Sequence, residues 1–357
     1  MKKARIILIF VTLLTACSMS KINKYEWLAS GSADKLYPTE LFFGNFILLD
    51  DYKLYIPSSA VFETDWGKHV STHISGPEFK PVPKAIEIVW YSIMENKFYS
   101  VEADLPHEKI DALMKLKDEK TKKHVYRRIN AGMSLYGNLA IFLEGAGILT
   151  EVAWIEGKEV EVEWLDFMPS TASDRAKNRE EYSDFIKKDC KKAYENYLEN
   201  GMPDNMLFEN NRKKFNYRIT LDFENENAVL ELVRIQYYSG EYNFTNSGEH
   251  VNNAMRAKPR KFIFEWSVGS DKYQGHFWTD ENKIIETFAN FFGSDTQKAG
   301  NFLIEIGEDS KEFKISLQND DKVYEIPEED IQILVFKNRL ECFRSKSYNK
   351  PPGGWRD

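Results

Sequence analysis

Three cysteines and six histidines in 357 residues leave few routes to metal or redox chemistry, and neither residue is spaced for it. There is no His-Glu-x-x-His, no Cys-x-x-Cys and no Asp-rich calcium loop, and glycine is not arranged as a nucleotide-binding loop or as a Gly-x-Ser-x-Gly elbow. The sequence therefore assigns no catalytic residue, no metal ligand and no cofactor. Positive charge is also in deficit, with 48 Lys and Arg against 56 Asp and Glu. A chain of that balance does not gather phosphates through its overall field, so nucleic acid is not an expected partner. The local basic runs at Lys120 to Arg128 and Arg212 to Lys214 read as solvated faces. Long apolar runs are missing after the first few residues, so nothing later in the sequence reads as a membrane-spanning helix.

What is present begins with the leader. Lys2, Lys3 and Arg5 precede an apolar core from Ile6 to Leu14, too short for a permanent span, and the core runs into Leu14-Thr15-Ala16-Cys17. Small residues before a cysteine at that position form a lipobox. Cys17 is expected to receive a diacylglycerol and become the first residue of the mature chain. Each buried methylene contributes ~0.8 kcal/mol, so several acyl chains make a durable anchor. Ser18 is not the aspartate that retains such proteins in the inner membrane, which points to the periplasmic face of the outer membrane. Cleavage removes three positive charges and no acid, taking the net charge from −8 to −11.

Once Cys17 is acylated, Cys190 and Cys342 remain as an even pair that an oxidising compartment can join. The alternative is two separate buried thiols.

The folded part carries an apparent internal repeat. Pro83 to Trp90 aligns with Pro259 to Trp266, Lys97-Phe98 with Lys272-Tyr273 and Ile110 with Ile285. Farther on Gly137-Asn138 aligns with Gly300-Asn301, and more weakly Tyr25 and Glu40-Leu41 with Tyr217 and Glu231-Leu232. Alternating β-branched and aromatic residues predict hairpins at 84–103 and 262–278. A helix should follow each. The first has Asp104 and Pro106 at its start and Ile110, Leu113 and Met114 on one face. The second is capped by Thr279, with Ile284, Ile285, Phe288, Phe291 and Phe292 as its apolar stripe. Three- and four-residue spacing predicts one long amphipathic helix from Asn178 to Asn200, stopped by Gly201 and Pro203. Residues 245–258 read as a linker.

Few side chains invite a chemical reading. On a helix His69 and His73 would stand together on one side as a metal pair, but Gly67, Gly76 and Pro77 argue for a strand, where they share a face yet lie ~13 Å apart. They read as edge histidines, and His276 as a packed one. Asp50-Asp51 and Asp320-Asp321 suit turns, and Glu144-Gly145-Ala146-Gly147 joins two strands. Trp90 and Trp266 are expected in cores. Trp66 and Trp355 fall in an expected loop and tail, and are the candidates for an exposed binding surface.

Tyr37-Pro38-Thr39-Glu40, Asp65-Trp66-Gly67, the run Pro83 to Trp90 with Lys97-Phe98-Tyr99, Leu105-Pro106, Gly201-Met202-Pro203 and Phe215-Asn216-Tyr217 resemble a family of bacterial lipoproteins known only as a domain of unknown function. The resemblance implies localisation and class. It carries no activity and no site residues.

The resulting expectation is an α+β protein, mostly antiparallel β. Residues 1–16 form a lipoprotein signal peptide and 17–24 a lipidated tether. Residues 25–200 form a first β-rich unit with the long connecting helix, 201–346 a second related unit, and 347–357 an irregular tail. Each unit packs one helix on its strands. The expected role is non-catalytic binding of a periplasmic protein partner, with immunity-like neutralisation of a delivered toxin as one form of it. A structural envelope-assembly lipoprotein and a glycan hydrolase using paired carboxylates are the alternatives.

Overall fold

The computed structural model describes residues 22–58, 61–63, 66–70, 73–168, 178–245, 249–338 and 341–346, with residues 245, 249 and 341–346 described by backbone alone. Cys17 and Trp355 lie outside the described residues. The architecture is α+β, dominated by strands in antiparallel and mixed sheets. No described helix is long and apolar enough to cross a membrane.

The chain opens with β1 (Tyr25–Glu26), β2 (Leu28–Ser32), β3 (Thr39–Leu48), β4 (Lys53–Tyr55) and β5 (Phe79–Lys80). The expected hairpin follows as β6 (Pro83–Ser92) and β7 (Lys97–Asp104), then helix α1 (His107–Met114). A meander of β8 (Tyr126–Met133), β9 (Asn138–Gly145) and β10 (Ile148–Glu156) leads into β11 (Lys158–Val160). Helices α2 (Trp164–Phe167), α3 (Arg179–Asp189), α4 (Lys191–Asn200) and α5 (Met206–Arg212) come next. The later strands are β12 (Phe215–Phe223), β13 (Ala228–Tyr237), β14 (Tyr242–Thr245), β15 (Ala254–Arg256), β16 (Pro259–Val268) and β17 (Asp271–Thr279). Helix α6 (Glu281–Phe292), β18 (Gly300–Ile306), β19 (Phe313–Gln318), β20 (Val323–Ile326), β21 (Ile331–Lys337) and β22 (Glu341–Lys346) complete the order.

These strands pair as a short β1-β5 ribbon and three larger sheets. One five-stranded sheet runs β11-β7-β6-β3-β4, another β15-β12-β18-β19-β20, and a ten-stranded sheet runs β2-β8-β9-β10-β14-β13-β16-β17-β21-β22. The ten-stranded sheet is continuous across the two parts of the chain only through β10 and β14, which share two residue pairs, Ile148 with Asn243 and Leu149 with Tyr242. Two apolar cores result. The first is enclosed by β2, β3, β6 to β10 and α1, the second by β12, β13, β16 to β21 and α6.

Period-2 alternation explains why these segments are strands. In β3 and β18 buried and more exposed positions alternate, so each strand gives one face to a core and one away from it. Trp90 and Trp266 are fully buried, as their sequence context indicates. Trp90 lies opposite Tyr99, and Trp266 opposite Tyr273 with the rings 5.4 Å apart. In both cases the strand on the other side of the tryptophan, β3 or β13, carries a bulge beside it. Leu41 faces Trp90 before the register slips to Phe43 and Val89, and Leu230 faces Trp266 before it slips to Leu232 and Glu265.

Several local expectations shift. Gly137-Asn138 opens β9, which lies antiparallel between β8 and β10, whereas Gly300-Asn301 opens β18, which runs parallel to β12. Those two stretches are alike in pattern but occupy different places. The long helix from Asn178 breaks at Cys190, which leaves helical geometry at φ −81°, ψ 54° and lets α3 and α4 turn separately onto the sheet. Helix α6 is capped by Asp280, whose side chain accepts from Lys283 N at 3.0 Å. Thr279 points inward instead, donating to Pro259 O at 2.7 Å. Helix α1 has no side-chain cap. The 245–258 linker contains a further strand, β15, paired with β12.

Candidate functional site

Strand β9 turns Ile141 and Leu143 into the first core and Phe142 and Glu144 to the opposite face. That face carries a polar layer. Asn130 on β8 is fully buried, and its Nδ2 donates to Gly67 O at 2.8 Å and to Glu144 Oε2 at 2.7 Å. His69 Nδ1 sits 2.9 Å from both carboxylate oxygens of Glu144, and its backbone N–H adds a third contact at 3.2 Å. Tyr242 on β14 donates to the same carboxylate at 3.4 Å. Burial, with Glu144 beside it, pushes the Tyr242 hydroxyl well above the usual phenol range, so it remains a donor.

A histidine held at Nδ1 by a carboxylate presents Nε2 in a defined direction, as general bases and metal ligands do. Here Nε2 hydrogen-bonds to no described residue, and no described group of three His, Cys, Asp or Glu is placed to hold a metal. The arrangement clamps residues 66–70 onto the sheet and, through Tyr242, joins the two parts of the chain.

Neighbouring contacts serve the same seam. Trp66, expected to be exposed, is half-buried against Phe142 and Trp154, and its Nε1 donates to Ser239 O at 3.1 Å. Arg212 and Lys214, expected as a solvated run, are tied down. The Arg212 guanidinium meets Glu151 at 2.6 Å and stacks 4.1 Å over the Trp154 ring, and Lys214 Nζ meets Glu241 at 3.0 Å. Burial raises the Glu151 carboxyl, and Arg212 opposes that rise. Sequence reading missed Glu144 as the hub because its neighbours Gly145 and Gly147 mark a turn. The turn is real, with Gly147 at φ 80°.

On the outer face of the β11-β7-β6-β3-β4 sheet the chain divides into covered and open ground. Helices α2, α3 and α4 cover one end, burying Val89, Tyr91, Phe98, Tyr182 and Ile186. Beneath them Tyr182 donates to Glu40 at 2.5 Å, and burial raises the Glu40 carboxyl to about 7. Cys190 is a free, buried thiol, pushed up to about 12 by burial and the Glu63 carboxylate, which leaves it a poor nucleophile. Cys342 lies on β22, and its side chain is not among those described.

The other end of that face is an open groove of about 850 Å³. Phe43, 43% exposed, stands in it, and Tyr55 on the adjoining edge strand is 53% exposed. Glu87 and Glu102 face each other across β6 and β7 on its floor. Lys53 and Asn45 bind Glu87 and hold its carboxyl below the usual range. Glu102, Asp104 and Glu156 pair with no described residue.

Fold and surfaces together define a β-rich α+β protein with a polar clamp at its seam and a recessed sheet face. The chain belongs to the family described as Protein of unknown function (DUF2931), whose model matches residues 15–201. The match ends at Gly201, which closes α4, so β12 to β22 lie beyond it. No curated protein and no solved structure matches the chain.

Proposed function

We propose that the chain is a lipoprotein anchored through Cys17 to the periplasmic face of the outer membrane, and that it binds a protein partner without catalysis, as an immunity protein neutralising a delivered toxin does. The leader from Lys2 to Cys17 carries the proposal, because a short apolar core ending in a lipobox sets both compartment and tether. The recessed sheet face supports the binding part. It offers exposed aromatic area beside carboxylates without partners among the described residues, the combination that draws and then holds a basic protein surface. A structural role in envelope assembly uses the same surface with a different partner. Glycan hydrolysis draws less support. It needs one carboxyl raised to act as an acid, and Glu87 in the groove is lowered instead.

The same reading takes 25–200 and 201–346 as two copies of one β module. Strand order supports it: β11-β7-β6-β3-β4 has its counterpart in β21-β17-β16-β13-β14, and β2-β8-β9-β10 in β12-β18-β19-β20, each with one parallel pair at the same place. Both bulges coincide as well, one beside Trp90 and Trp266, the other where Leu48 meets Pro83 and Tyr237 meets Pro259.

The anchor is tested by fractionating cells that express Cys17→Ala. The variant is expected to leave the membrane fraction and to lack the lipid-modified N-terminal peptide in mass spectrometry. A variant that stays membrane-bound would refute the tether.

A further inference from the structure

The seam between β10 and β14 has a vacant counterpart. Under the two-copy reading, on which this inference rests, β14 corresponds to β4 and β10 to β20. Strand β14 is covered by β10, whereas β4 and β20 are both edge strands. Backbone direction agrees with the correspondence. Phe244 lies opposite Arg234 and sends its N–H away from β13 to Gly147 O at 2.8 Å. Tyr55 lies opposite Asn45 in the same way. Leu48 N–H donates to Tyr52 O and Ile56 N–H to Gly44 O, so residues 52, 54 and 56 turn toward β3 and the N–H groups of Lys53 and Tyr55 turn outward. On β20, Asn319 N–H donates to Lys322 O, which leaves Val323 and Glu325 as the outward residues.

We propose that β20 of one molecule adds to β4 of a second copy of this chain, repeating between molecules the pairing that β10 makes with β14 within one. The side chains fit that use. Val323 is 60% exposed on β20 beside a recess of about 520 Å³, and Tyr55 projects from β4. A lysine on an edge strand ordinarily blocks such pairing, but Lys53 folds back onto Glu87 at 2.9 Å and its charge is met there. The internal seam itself pairs only two residues of each strand, so a strand as short as β4 can carry the same register. Because the contact joins unlike surfaces it is head-to-tail, and it extends into a chain of molecules unless rotation closes it.

Carrying the register of Leu149 and Tyr242 across sets Val323 opposite Lys53. Full-length lipidated Lys53→Cys and Val323→Cys proteins, mixed in membranes under mild oxidation, should form a disulfide-linked dimer, and the double variant a ladder. Paired strand residues bring Cα atoms to about 5 Å, within disulfide reach. Tyr55→Pro in the Lys53→Cys chain removes an outward N–H and leaves the β3 pairing intact, and should cut the yield at least tenfold. No cross-link from folded variants, or a yield unchanged by Tyr55→Pro, overturns the edge pairing. Either result leaves the groove and the anchor untouched.

Discussion

The two parts of the chain enclose their cores with the same strand order but different side chains. The first core is mainly aliphatic, built on Ile86, Ile88, Ile110, Ile129, Leu139 and Ile141 around rings such as Trp27, Phe46 and Phe62, while the second is mainly aromatic, drawing on Phe215, Phe262, Phe264, Phe277, Phe288, Phe302 and Phe313. Under the proposed two-copy reading Met114 faces inward from α1 where Phe288 does from α6, and Ile129 from β8 where Phe302 does from β18. Alternation is kept while identity is not, which is the tolerance cores have when pattern is preserved. What both retain is the tryptophan at the bulge. The outer faces differ more. In the first part an irregular segment and three helices lie over the sheets and leave a groove, whereas the edge strand of the second is occupied by β10.

That contrast can be broken most strongly at the shared anchor. Trp90→Ala and Trp266→Ala should each destabilise by about 3–5 kcal/mol, the range for emptying a buried aromatic site, measured by chemical denaturation. A loss at Trp266 several-fold smaller than at Trp90 would separate the two cores in kind.

The pH response sharpens the comparison next, because Glu40, a strongly raised carboxyl, lies under α2 to α4, which only the first part has. Folding lifts Glu40 from 4.5 to about 7. The folded state therefore favours the protonated form. Its contribution is complete below pH 4.5 and is lost as pH rises through 7, by ~3 kcal/mol at about 1.4 kcal/mol per unit. Glu40→Gln should flatten the stability profile between pH 4.5 and 7 and leave the protein more stable than the parent at pH 8. An unchanged profile would remove Glu40 as the cause.

The smallest difference is at the helix starts. Asp280→Ala should cost about 1 kcal/mol through loss of the α6 cap, read from the denaturation midpoint. Asp104→Ala should cost almost nothing, since α1 has no side-chain cap.

Much of the framework was legible. The two hairpins, their tryptophans, the helices after them and the turns at Asp50 and Asp320 follow from alternation, from apolar spacing and from residues that favour turns. The alignment of Pro83 with Pro259 falls on the starts of β6 and β16, but farther on Gly137 and Gly300 fall on unlike elements. The loops differ in length, four residues between Ser92 and Lys97 against two between Val268 and Asp271, and the bulges add residues that a linear alignment does not register. The α3 and α4 break was hidden because the apolar spacing continues through Cys190.

Sequence alone determined the strand periodicity, the acidic balance and the scarcity of metal-type ligands, since each is a property of neighbouring residues or of the whole composition. Tertiary structure decided that Glu144 meets His69 from 75 positions away, that Arg212 closes on Glu151, and that Trp66 is packed into a seam. It also decided which edges are covered. Such pairings depend on which sheet faces come together, and residues far apart in the chain carry no local mark of the partner they will meet.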